Sequence, residues 1–175
     1  MPVSKTSSGP QLRLVADSDA DAFKEAMELA GKFLSRRPRS EQEIRTKLSG
    51  AGTGTEVVER TLERLRELSL VDDHEFSRQW IEDRVRRRGL GRRALIGELQ
   101  GKGISREVAE DVLAETDFDE AAQAVELAEG FARKVGHHPL DQQAARILAM
   151  LARRGIEYDA ARAAVTAVLP PEGWD

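Results

Sequence analysis

Apolar residues recur at helical spacing along almost the whole chain from residue 19 onward. The first run covers residues 19–34, the second centres on Ile44 and Leu48, and the third covers residues 57–68. Spacing of i, i+3 and i+4 is typical of amphipathic helices, and Gly52 stands where a left-handed residue commonly closes one. The pattern therefore predicts a unit of one long, one short and one medium helix, and it predicts no strand.

The same pattern returns twice. Gly52, Gly103 and Gly155 occupy equivalent places, and apolar positions superpose around them without a gap. The superposed positions are Ile44, Leu95 and Ile147, then Leu48, Leu99 and Leu151, and finally Leu62, Leu113 and Val165. A period of about 50 residues is typical of helical repeat proteins. We predict an all-α protein of three tandem three-helix repeats, forming an elongated, curved array of right or left hand.

The repeat boundaries follow from composition. We place the repeats at 19–70, 71–116 and 117–169. Residues 1–18 are rich in Ser, Gly, Pro and Asp, which predicts a disordered tail. Residues 170–175 begin with two prolines and form a second tail, because proline cannot continue a helix.

Capping patterns mark the predicted helix starts. Ser40, Thr53, Asp72 and Asp117 each stand three positions before a glutamate. This spacing is the capping-box signature, in which the two side chains bond each other's backbone N–H groups.

The charge balance limits the function. Charged residues make up 33% of the 175 residues, yet the formal net charge is −4, which argues against bulk attraction to nucleic acid. Residues 110–129 contain eight acids and no Lys or Arg, directly after a basic stretch. There is no cysteine for a disulfide or a thiolate zinc site, and no run approaches the roughly 20 apolar residues of a membrane span. The N-terminus lacks a signal-peptide core, so we expect a cytoplasmic protein without membrane contact.

Catalysis finds little support in the sequence. His74 is alone, and His137 and His138 are adjacent, so the pair cannot share one helix face. The glycines around Leu90 and Lys102 follow predicted helices, whereas phosphate-binding loops follow strands. We predict that the protein is not an enzyme and uses no cofactor or metal.

Arginines are concentrated in residues 84–93, which contain six of them and no acid. Other cations end the first long helix or precede the turn glycines, and compensation of helix dipoles explains part of this distribution. Guanidinium groups also suit phosphates and carboxylates through paired hydrogen bonds. The predicted binding residues are Arg36, Arg37, Arg39, Arg84, Arg86, Arg87, Arg88, Arg92, Arg93, Lys102, Arg153 and Arg154.

Arg84 stands in the apolar stripe of its helix, where the first repeat has Phe33. An unpaired buried charge costs several kcal/mol, so Arg84 needs an acid, an exit to solvent or a partner. Glu98 and Glu110 are candidate acids. The sequence leaves the ion pair and the binding role both open.

Several motifs stand at comparable places in the repeats. They are Arg36-Arg37-Pro38-Arg39-Ser40 with Glu43-Ile44 and Lys47-Leu48, Leu70-Val71-Asp72-Asp73-His74-Glu75-Phe76 with Trp80, Arg88-Gly89-Leu90-Gly91, Glu98-Leu99 with Lys102-Gly103-Ile104, and Leu151-Ala152-Arg153-Arg154-Gly155. Together they resemble the RecX family of bacterial recombinase regulators over residues 24–168. That family's fold, three tandem three-helix repeats, is the one predicted above.

The resemblance implies a regulator that is not an enzyme and that acts on RecA, the recombinase that forms ATP-dependent filaments on single-stranded DNA. Such a protein binds the filament groove and inhibits ATP hydrolysis and strand exchange. The expected partner is the RecA filament, with single- or double-stranded DNA as a further candidate through the basic residues, and we expect a monomer. The family supplies no catalytic set, so the binding residues above rest on position and charge.

Two other functions stay open. Each short helix, glycine turn and medium helix resembles a helix-turn-helix, which makes a DNA-binding protein an alternative. Against it, the medium helices carry Glu56, Glu59 and Glu107, which phosphates would repel. A generic helical adaptor is the third possibility, and it leaves the concentration of arginines unexplained.

Overall fold

The computed structural model describes residues 10–170, and their side chains from residue 18 onward. Within that range the chain forms nine α-helices and no strand. The first repeat contains α1 (Pro10–Leu34), α2 (Glu41–Gly50) and α3 (Thr55–Glu67). The second contains α4 (Asp73–Arg88), α5 (Arg92–Gln100) and α6 (Arg106–Glu115), and the third contains α7 (Glu120–Val135), α8 (Leu140–Arg153) and α9 (Tyr158–Val168). The predicted all-α fold of three three-helix repeats is confirmed.

The first helix begins earlier than predicted. Residues 10–18, assigned above to a disordered tail, belong to α1. Proline is favoured at the first helical position, because its fixed φ suits the helix and its missing N–H is not needed there. Pro10 is the first described residue of α1 and suits the first turn of a helix. Residues 1–9 and 171–175 of the two predicted tails lie outside the described residues.

One predicted cap is confirmed and two are wrong. Ser40 Oγ accepts from Glu43 N at 3.2 Å, and the Glu43 carboxylate accepts from Ser40 N at 3.4 Å, which completes the capping box of α2. Thr53 does not cap α3, because its N–H still closes the preceding turn on the carbonyl of Leu48. The cap of α7 is Asp119, which accepts from the N–H of the third helical residue; Asp117 lies outside the helix.

Equivalent positions of the three repeats are buried alike. Leu48, Leu99 and Leu151 are each 0% exposed, and their carbonyl oxygens accept a turn hydrogen bond at 3.1, 3.1 and 3.2 Å. The glycine before each donor has positive φ, of 85°, 82° and 73° for Gly52, Gly103 and Gly155. This is the left-handed closure of the short helix predicted from the glycine spacing. Each repeat has its own apolar cluster around this turn.

The chain divides into two compact units, with the boundary between Asp73 and His74. The first unit contains α1 to α3. The second unit contains both remaining repeats, so these two are more closely associated than the sequence repeat alone suggests. A direct backbone contact joins these two repeats.

We call this contact the main-chain clasp, formed by residues 91–93 and 154–155. Gly91 N donates to Arg154 O at 2.8 Å, and Arg93 N donates to Gly155 O at 3.1 Å. Both glycines are required by the close approach. A Cβ on Gly91 would lie 2.6 Å from the backbone N of Ile156, and a Cβ on Gly155 would lie 2.5 Å from the backbone N of Ala94.

Candidate binding surface

Arg84 lies in a cluster of polar and aromatic side chains on α4 and α5. Its Nε donates to Glu98 Oε2 at 2.7 Å, and its Nη1 donates to Asp83 Oδ2 at 2.7 Å. The guanidinium also lies over the Trp80 ring, 3.9 Å from the centroid, which is close enough for a cation–π contact. The side chain is 22% exposed. Of the two possibilities above, the structure therefore contains the ion pair with Glu98.

Glu98 connects the whole cluster. Besides Arg84 it accepts from Trp80 Nε1 at 2.9 Å and from Arg88 Nη1 at 3.1 Å. Lys102 Nζ lies 5.0 Å from the Trp80 centroid. One carboxylate thus accepts from three donors, and two cations lie close to the same aromatic ring.

The remaining arginines at the end of α4 differ in their partners. Arg87 Nε pairs with Asp83 Oδ1 at 2.7 Å, but the Arg87 side chain is 70% exposed, so the pair contributes little stability. Arg86 is exposed and forms no ion pair with any described residue. Of the four arginines between 84 and 88, it has the fewest internal contacts.

A groove of about 870 Å³ in the second unit brings several predicted residues together. Its lining includes Arg86, Arg87 and Arg88 from the end of α4 and Arg154 from the turn after α8. These two segments run directly into the main-chain clasp. They are close neighbours, because a Cβ on Gly89 would lie 3.5 Å from Arg154 Nη1. Four of the twelve predicted residues therefore share one concave surface.

The same groove contains two cations that the sequence analysis missed, Arg133 and Lys134 at the end of α7. The long helices α4 and α7 align when the numbering is shifted by 47 residues, and Arg133 is then equivalent to Arg86. The glycine turns at Gly103 and Gly155 align with a shift of 52 residues. The difference arises because α8 is five residues longer than α5. An alignment of the helix ends, made separately from the turns, could have found them.

The predicted cations of the first repeat belong to the first unit. Arg37 forms paired hydrogen bonds with Glu43 at 2.7 and 3.1 Å. The Arg39 guanidinium lies over the Phe33 ring, 3.8 Å from the centroid, and its Nε is buried without a hydrogen-bond partner among the described residues. Burial, followed by the nearby charge of Arg37, lowers the pKa of Arg39 below its usual range. Arg36 is exposed.

The last predicted residues lie at the clasp. Arg93 Nη2 donates to the carbonyl of Ala152 at 3.0 Å, so this side chain strengthens the joint. Arg92 is half-buried, and its backbone N donates to Glu120 Oε1 at 2.6 Å. Arg153 is exposed, next to the Arg154 of the groove.

Among residues 10–170, no group of three or more His, Cys, Asp or Glu side chains stands close enough to hold a metal ion. None of the helices in that range combines the length and the apolar composition of a membrane span.

Tandem three-helix units with basic helix ends define the class of this molecule: an all-helical repeat protein. Family models identify its repeats more closely. The model of the first three-helix domain of RecX matches residues 26–65, and that of the second matches residues 72–113. The chain belongs to the RecX family of regulatory proteins.

Sequence relatives support this over nearly the full length. A regulatory protein RecX from Mycobacterium sp. (strain JLS) is 35% identical over 177 residues, covering 97% of this chain and 93% of the relative. One from Amycolatopsis mediterranei is 36% identical over 138 residues, covering 77% and 78%. The crystal structure of RecX from Lactobacillus salivarius has the same fold, with a TM-score of 0.79 at 22% identity over 85% of this chain and 97% of that one.

Proposed function

We propose that this protein binds the RecA filament on single-stranded DNA and inhibits its ATP hydrolysis and strand exchange. Its relatives bear the name regulatory protein RecX, and the sequence motifs resemble that family. The protein acts by binding, without catalysis or cofactor, and through this partner it works in the cytoplasm. The proposal treats the monomer as the active form.

One observation carries the assignment of the contact surface. Arg86, Arg133, Lys134 and Arg154 line one groove and form no ion pair with any described residue. Arg86, Arg133 and Lys134 are exposed and Arg154 is half-buried, so the four cations can form charge-assisted hydrogen bonds with the carboxylates or phosphates of a partner. In a chain of net charge −4, local complementarity has to supply the attraction.

Binding to DNA alone is less well supported. In the helix-turn-helix arrangement, the medium helices α3 and α6 would enter the groove of the duplex. Their exposed surfaces carry Glu56, Glu59, Glu107 and Asp111, which repel phosphates. The arginine-lined groove lies elsewhere, on α4 and α7.

The test is the single-stranded-DNA-dependent ATPase of the cognate RecA, titrated with this protein. We expect inhibition by the wild type. The double variant Arg86→Glu and Arg154→Glu should need at least about tenfold more protein, because reversed charges at an interface oppose association. Arg162→Glu is the matched control, since Arg162 is an exposed arginine on α9 outside the groove.

Each result has a separate meaning. Equal inhibition by the double variant contradicts the assigned surface, and no inhibition by the wild type contradicts the function. Binding to bare single-stranded DNA would favour the DNA-binding alternative. In a plot of log affinity against log salt concentration, each contacted phosphate should then add about −0.7 to the slope. Circular dichroism checks that the variants keep their helices.

A further inference from the structure

We propose that the arginine-lined groove of the second unit binds an extended protein segment in which acidic residues flank aromatic or large aliphatic ones. The inference deepens the proposed function, on which it rests for the choice of contact surface. It states which chemical part of a partner this groove recognises: a peptide rather than a nucleic-acid backbone. Three properties of the lining support it.

The first property is the arrangement of cations at the groove. Arg86 at the end of α4, Arg133 and Lys134 at the end of α7, and Arg154 after α8 approach it from three elements. All three elements belong to the second unit, and the main-chain clasp fixes the α8–α9 turn against the start of α5. The turn that carries Arg154 is therefore held next to the end of α4, and the cations of the three elements converge on one groove.

The second property is an apolar part of the lining. Val85, Phe118 and Leu127 are half-buried, and Phe131 is 8% exposed. Gly130 also lines the groove without a side chain, and a Cβ there would come no closer than 3.8 Å, to Arg133 Nη2. Half-buried apolar groups next to cations suit a chain that alternates carboxylates with aromatic or aliphatic side chains.

The third property is an unsatisfied amide. Gln123 lines the groove, and its Oε1 is buried without a hydrogen-bond partner among the described residues. A buried acceptor without a donor costs free energy. Gln123 as a whole is only half-buried, so its amide can turn toward the groove and accept from a backbone N–H, which an extended peptide presents at regular spacing. Rotating the amide by 180° would place its NH₂ there, which a peptide carbonyl satisfies equally well. Either orientation fits a peptide backbone.

The acids of the lining separate a peptide from a nucleic acid. Asp117, Asp119 and Glu126 also face the groove, and none of the three forms an ion pair within the described chain. A phosphodiester chain carries a negative charge at every step and meets these carboxylates unfavourably. A peptide can place uncharged residues or its N–H groups beside them.

The experiment measures binding of a fluorescein-labelled peptide, Glu-Phe-Ala-Glu-Phe-Ala-Glu, to the full chain by fluorescence anisotropy. We expect saturable binding, weakened at least about tenfold by Arg86→Glu combined with Arg133→Glu. Gln123→Leu keeps the side-chain volume and removes the unsatisfied amide, so it should fold at least as well yet bind about threefold to tenfold more weakly. Arg162→Glu, outside the groove, should bind as the wild type does.

Controls decide between occupants. A peptide with Lys in place of each acid should not bind, and an oligo(dT) strand should not compete for the groove. If oligo(dT) binds and loses affinity in the same groove variants while the acidic peptide does not bind, the groove recognises phosphates and the inference is wrong. If neither probe binds, or if all variants bind the peptide equally, the inference is also wrong.

The RecA ATPase assay separates this outcome from the proposed function. Inhibition without peptide binding rejects the groove's specificity and leaves the function standing. Peptide binding without inhibition rejects the function and leaves the groove's chemistry intact.

Discussion

The turn at Gly52 in the first unit and the turn at Gly155 in the second have the same backbone and different surroundings. Both glycines have positive φ, and both turns close on a fully buried leucine. A Cβ on Gly52 would meet nothing within 4 Å, whereas one on Gly155 would collide with the backbone of Ala94. The same local motif therefore has different roles in the two repeats. In the first repeat it ends a helix, and in the third it ends a helix and also joins two repeats.

The cations show a similar difference. In the first repeat the guanidinium of Arg39 lies over the Phe33 ring, and its Nε is buried without an acceptor among the described residues. In the second repeat Arg84 replaces that phenylalanine, lies on Trp80 and bonds Glu98. The stacking of a cation on an aromatic ring is retained, and in the second repeat the stacked guanidinium also donates directly to a carboxylate.

Gly155→Ala should have the largest effect on stability. Alanine at φ near 73° costs about 1–2 kcal/mol, and the collision with Ala94 adds about 1–3 kcal/mol of overpacking. Amide hydrogen exchange should therefore accelerate in α5 and α9. Gly52→Ala is the matched control and should lose only the first contribution, with faster exchange confined to α2 and α3. Equal losses in the two variants would show that the clasp adds no stability.

Glu98→Ala should have an intermediate effect, a loss of about 1–3 kcal/mol in the free energy of unfolding. The change removes the acceptor of Trp80 Nε1 and of the largely buried Arg84. Adding Arg84→Phe restores the residue type of the first repeat, so the double variant should lose less than the sum of the single changes. Urea unfolding followed by circular dichroism measures all of these variants. Strict additivity would contradict the coupling between the two residues.

Asp73→Asn should have the smallest effect, and that effect depends on pH. Asp73 Oδ1 accepts from Glu41 N at 2.9 Å, and burial is the main cause that raises the pKa of its carboxyl above the usual range. The folded state then binds the proton more tightly than the unfolded state, so this group adds stability as pH falls through the raised pKa. The asparagine variant should melt at an equal or higher temperature at neutral pH, and its advantage should shrink toward about pH 4. An advantage that grows on acidification would contradict the assignment.

The sequence predicted the fold well because its signals are local. Glycine position, apolar period and the Ser40 cap each depend on a few neighbouring residues, and the structure confirms them. Thr53 failed as a cap because its N–H serves the preceding turn, a competition that spacing does not reveal.

The arginine-lined groove and the contacts of Arg84 were harder to predict from the sequence. The ion pair of Arg84 with Glu98 joins two helices, and charge pattern alone could not choose between Glu98 and Glu110. Arg133 and Lys134 were missed because the longer α8 changes the period between long helices. Gln123 carries no motif at all, and only its burial marks it. Properties that depend on several elements meeting require the three-dimensional structure.

The main-chain clasp also bears on how this protein can evolve. Its backbone bonds use amide and carbonyl groups that nearly every residue possesses, and it requires only that positions 91 and 155 lack a side chain. Arginines at positions 86, 133 and 154 can then be exchanged without altering the backbone bonds that align α5 with α9. A lineage can thus change the charge of the groove while inheriting an unchanged joint.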